Sequence, residues 1–153
     1  MMKPLDNQGL EGLPLKLLIT SLVIALSIPA MNGAVCYLSY SKDLSIALGI
    51  AEDIRGAATS AFIGGPGNVR NVEIDLPAGC PASIMVGAAP EDPFGQLIEV
   101  MWKGEVAATV ELCDPCFRIV TSQGVRLEIG GSTALRLACL DLGDELVVGL
   151  EVI

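Results

Sequence analysis

From Leu13 to Leu38 the chain is almost continuously apolar, broken by Lys16 near its start and by Thr20, Ser21 and Ser27 before Asn32. A bilayer core needs roughly 20 apolar residues in a helix, so the run is long enough to span one. From Leu44 the pattern changes while the helical period persists. Leu44, Ala47, Leu48, Ala51, Ile54, Ala58, Ala61 and Phe62 recur at steps of three and four, with Asp43, Glu52, Asp53, Gly56, Thr59 and Ser60 mainly on the other side. That is the pattern of an amphipathic helix. Gly64-Gly65-Pro66-Gly67 then ends it, because glycine accepts a left-handed conformation and proline cannot continue the ladder. One helix over 10–63 is predicted, roughly 50 residues and about 75 Å long at 1.5 Å per residue.

After Gly67 the period becomes two. Val72, Ile74 and Leu76 alternate with Glu73 and Asp75, Pro77-Ala78-Gly79 turns the chain, and Ser83–Val86 forms a second short strand. Ala88–Gly95 is a loop by its prolines and charges. Three hairpins are predicted to follow. The first pairs Gln96–Lys103 with Glu105–Leu112, the second Phe117–Thr121 with Val125–Ile129, and the third Thr133–Leu140 with Leu146–Val152. Short strands at about ten-residue spacing point to an all-β sandwich or partly closed barrel. The expected fold class is therefore α+β, one long N-terminal helix followed by a β-sandwich-like domain over 68–153.

Three readings compete for the N-terminal part. A removable secretory signal has a basic leader, a short apolar core and a small-residue cleavage site. Here the run is too long, Asp6 and Glu11 offset Lys3 and Lys16, and Pro29-Ala30-Met31-Asn32-Gly33-Ala34 offers a poor site. A plain membrane anchor is the second reading. The third is a leader peptide cut off ahead of the apolar run, which is retained.

Composition sharpens this picture. The chain has 153 residues and 52% hydrophobic positions, enough for one β-rich core once the apolar N-terminal quarter is set aside. Its net charge of −9 opposes the phosphate backbone, so no nucleic-acid partner is expected. No histidine is present. That removes the commonest general base, the commonest zinc ligand and the Ser-His and Cys-His nucleophile pairs, so the chain is not expected to be an enzyme.

Five cysteines occur, at 36, 80, 113, 116 and 139. Cys36 lies in the apolar helix and is read as a small core hydrophobe. The other four are candidates for two disulfides in an exported domain, with the connectivity left open. Cys113-Asp114-Pro115-Cys116 also admits a redox dithiol, or half of a four-cysteine zinc site completed by Cys80 and Cys139. Phe117 stands where a haem-binding CxxCH needs histidine, and no metal or cofactor is expected. Glu91-Asp92 and Asp141, Asp144 and Glu145 read as solvated turn charges rather than a calcium site.

The short leader ending in Asn7-Gln8-Gly9, the junction Leu10-Glu11-Gly12-Leu13-Pro14-Leu15-Lys16, the long apolar helix and the small β domain together resemble archaeal type IV pilin-like proteins with class III signal peptides. The resemblance implies that a prepilin peptidase removes the leader 1–9 between Gly9 and Leu10, with Gly12 and Leu13 as second choice. Pro14 stands where bacterial pilins carry glutamate at the fifth mature position. It further implies a precursor held in the cytoplasmic membrane, then polymerised by a pilus assembly machinery into a cell-surface filament serving adhesion. Leu13, Leu17, Leu18, Val23, Ile24, Leu26, Ile28 and Pro29 would lie in the filament core, with Pro29 suited to a kink. Each apolar side chain moved from water into such a core gains roughly 1.5–3 kcal/mol. A repeated contact between identical subunits that does not close on itself generates a helical polymer. The alternative is a permanently anchored extracytoplasmic β-sandwich that binds a ligand without polymerising. A third is a membrane-tethered thiol oxidoreductase using Cys113 and Cys116.

Overall fold

A computed structural model of the chain describes residues 8–88, 94–122 and 124–153, with side chains in the helix described from Pro14 onward. It is an α+β protein. A long helix, α1 (Gln8–Ile63), precedes eight strands: β1 (Val69–Asp75), β2 (Ala82–Val86), β3 (Leu97–Trp102), β4 (Glu105–Glu111), β5 (Ile119–Thr121), β6 (Leu127–Ile129), β7 (Ser132–Asp141) and β8 (Leu146–Val152). The chain divides into two units, residues 1–40 and 41–153.

In the second unit the strands form two four-stranded sheets, ordered β1-β7-β8-β5 and β4-β3-β2-β6. Every pairing is antiparallel except β5 with β8. Alternation decides which side chains enter the core. In β2, Ala82, Ile84 and Val86 are buried while Ser83 and Met85 are partly exposed. In β7, Leu135, Leu137 and Cys139 face inward. Helix residues Ala47, Ala51, Ile54 and Ala58 join Ile84, Ile98, Leu137 and Leu150 in one contiguous core. Three of those four helix positions are alanine, which lets the helix backbone lie close to its neighbours.

The predicted stop of the helix is present, with a second lock. Gly64 N–H donates to the Ser60 carbonyl (3.2 Å), Gly65 N–H to Phe62 (3.1 Å), and the Asn68 side chain to Ser60 (3.1 Å). Gly65 takes a φ of 78°, and a Cβ on Gly64 would fall 1.7 Å from Asn68 Nδ2.

The first and third predicted hairpins are present as β3-β4 and β7-β8. The second is not. β5 runs parallel to β8, with Ile119 opposite Val148, whereas β6 pairs antiparallel with β2, with Ile129 opposite Ile84. The chain therefore passes from one sheet to the other between β5 and β6, and Thr121 Oγ1 contacts the backbone of Val125. Two apolar runs flanking a turn look the same in sequence whether they pair with each other or with different sheets.

Candidate functional site

Two features carry candidate chemistry: the surface of α1 in the first unit and the cysteines of the second.

From Pro14 to Ser39 every side chain of α1 is exposed. Leu17, Leu18, Val23, Ile24, Leu26 and Ile28 are each between 55% and 68% accessible. They are spread around the helix instead of lining one face. No charged residue lies between Lys16 and Lys42. The few hydroxyls turn back on the helix: Thr20 Oγ1 donates to the Lys16 carbonyl (2.9 Å), Ser21 Oγ to Leu18 (2.9 Å) and Ser27 Oγ to Val23 (2.7 Å). Pro29 lies inside α1, where it takes away the donor that would meet the Ala25 carbonyl. By length and composition the segment can cross a membrane. Gly9, Leu10, Gly12 and Leu13 lie within α1, but their side chains fall outside the described ones; residues 1–7 of the expected leader are outside the described residues altogether.

The expected disulfides are absent: all five cysteines are free thiols. Topology keeps most of them apart. Cys80 adjoins the Trp102 end of β3, where Lys103 N–H bonds the Pro81 carbonyl (3.1 Å); Cys113 follows Leu112, which bonds Gln96 (2.9 Å) at the other end of that strand. A six-residue strand separates them, on the order of 20 Å. Cys139 belongs to the opposite sheet, buried on its inner face. Burial, and then the charge of Asp141, push the Cys139 thiol above its usual range. Among the described residues no three His, Cys, Asp or Glu side chains come together as a metal site, so the four-cysteine arrangement is not assembled. Asp141 caps its own turn, accepting from Gly143 N–H at 2.8 Å, while Glu91 and Asp92 lie outside the described residues. Cys36 is exposed on α1 instead of sitting in a core of this chain.

No known protein family, curated protein or solved structure matches the chain.

Three arrangements leave little or no local mark in the sequence. Phe62 at the end of α1 stacks on Phe117, ring centres 5.0 Å apart. Glu99, only 6% exposed on the outward side of β3, forms an ion pair with Arg126; an acid inside Leu97–Trp102, otherwise apolar, was the available signal. Finally, Val69, Ala138, Gly149 and Val120 lie in register across the outer face of the β1-β7-β8-β5 sheet. With Leu140 on one side and Arg136 and Glu151 on the other, Val120, Ala138 and Gly149 shape an open trough of about 290 Å³.

Proposed function

We propose that the chain is a structural subunit of an archaeal type IV pilus-like surface filament. Its α1 segments pack on one another as the filament core, and its β domain is displayed outside, serving attachment. The precursor sits in the cytoplasmic membrane until a prepilin peptidase removes the leader and the assembly machinery extracts it. One observation carries this reading: the charge-free part of α1 is apolar and exposed all round, while the β domain completes its own core with residues 44–62. Such a surface has to be covered, and lipid followed by sister helices covers it in turn. Sequencing the N-terminus of the mature protein tests the reading. A start at Leu10 or Leu13 is expected; an intact Met1, or a start after Ala30 or Ala34, contradicts it.

A second reading, a permanently anchored β-sandwich that binds a ligand and does not polymerise, is favoured by the trough over Ala138 and Gly149. It predicts an intact N-terminus and no filaments.

A further inference from the structure

β4 leads into a tight turn in which Cys113 and Cys116 face each other as an isolated antiparallel bridge pair, with only Asp114 and Pro115 between them. Residues directly opposite in an antiparallel ladder have Cα atoms about 4.5–5.5 Å apart. A disulfide requires roughly 4.4–6.8 Å. Both side chains are exposed, so an external reagent can reach either sulfur. Each thiol rests on its own acceptor: Cys113 Sγ donates to Glu111 Oε2 (3.4 Å), and Cys116 Sγ to the Cys113 carbonyl (2.9 Å). The other two cysteines of the β domain do not compete. Cys80 adjoins the far end of β3 and Cys139 is buried in the opposite sheet.

We infer that Cys113 and Cys116 are a reversible redox site, closing to a disulfide across this turn by exchange with a low-molecular-weight or protein disulfide, while Cys80 and Cys139 stay as thiols. In the first step one cysteine loses its proton and its sulfur attacks the external disulfide R–S–S–R. That S–S bond breaks, one RS⁻ leaves and is protonated, and a mixed disulfide remains on the chain. The second cysteine then loses its proton and attacks the protein sulfur of the mixed disulfide, and the second RS⁻ leaves and is protonated. Two protein thiols have lost two electrons and two protons, and R–S–S–R has become two RSH. The inference does not depend on whether the chain polymerises.

Whichever sulfur goes first, Cys113 acts once as a thiolate. Its hydrogen bond to Glu111, helped by partial desolvation and the carboxylate charge, holds the Cys113 thiol above its usual range. Closure therefore accelerates as pH rises, and Glu111 acts as a positioning residue that retards it near neutrality. The turn also delivers Phe117, buried and stacked on Phe62, to the core. Closing the bridge is expected to slow amide exchange over 112–118.

The test uses the full chain in detergent, incubated with oxidised glutathione, alkylated with iodoacetamide after unfolding, digested and weighed. The peptide holding Cys113 and Cys116 should be unalkylated and two hydrogens lighter, with Cys80 and Cys139 alkylated; dithiothreitol should restore alkylation at both sites. Cys116→Ser should instead leave a stable glutathione adduct on Cys113. Glu111→Gln should raise the closure rate near neutral pH several-fold. Alkylation of both cysteines after oxidation, or a link from either to Cys80 or Cys139, overturns the inference. An unchanged rate in Glu111→Gln overturns the role given to Glu111.

Discussion

Two parts of one helix are built to different rules. Over 44–62, α1 is one-sided: Ala47, Ala51, Ile54 and Ala58 are buried with the β strands, while Glu52, Asp53 and Arg55 face water. Glu52 and Arg55 pair at 2.6 Å, one turn apart on that wet face. Over 17–38 there is no wet face; apolar side chains point in every direction and remain exposed. Both parts are helical, so the backbone does not distinguish them. The difference lies in where the covering surface comes from. For 44–62 this chain supplies it; 17–38 stay exposed, and under the proposed function lipid and then sister helices cover them.

A charge in the first part should have the largest effect. Ile24→Asp should abolish membrane retention and filament formation, since a carboxylate at the centre of an apolar span costs about 3 kcal/mol per copy. Thermal unfolding of the β domain should be unchanged in the same variant. A fall in its Tm would show that 17–38 supports the domain after all. A cavity in the second part should do the reverse. Ile54 is fully buried, so Ile54→Ala should cost the β domain about 2–5 kcal/mol by denaturant titration. A smaller effect should come from Glu99→Gln, which weakens the enclosed ion pair with Arg126. Its expected cost is about 1–3 kcal/mol, read from the same titration. No loss there would mean that solvent already screens the pair. The smallest effect belongs to Leu22→Ala, a truncation at an exposed position of the first part, which should stay within about 0.5 kcal/mol. Equal losses at Leu22 and Ile54 would erase the distinction.

What was legible in the sequence was local. Steps of three and four residues marked α1, and Gly64-Gly65-Pro66-Gly67 marked its end. Lys103-Gly104 marked the β3-β4 turn, where both residues take positive φ, 52° and 86°, as a two-residue hairpin connection requires. Asp141-Leu142-Gly143-Asp144 marked the longer β7-β8 turn, where Gly143 takes a φ of 91°. What was not legible depends on partners far apart in the chain. Nothing near Ile119 shows that it lies beside Val148 in parallel, or that Leu127 turns away to β2. The stack of Phe62 on Phe117 joins the end of α1 to the approach to β5, and no local pattern encodes it. The cysteines misled for the same reason. An even count of cysteines points to staples when export is expected, but pairing depends on which sheet and which end of a strand each occupies. The apolar part of α1 is the reverse case, because a charge-free helix carries its own signal in hydropathy alone.

In the proposed filament, residues 17–38 are covered by copies of themselves. Electron cryo-microscopy of material sheared from the cell surface would see that packing. Filaments made of this chain are expected, with Leu17, Leu18, Val23, Ile24, Leu26 and Ile28 packed against the α1 segments of neighbouring subunits in a central core and the β domains outside. A chain found only in the membrane fraction, with no filament containing it, would rule this packing out.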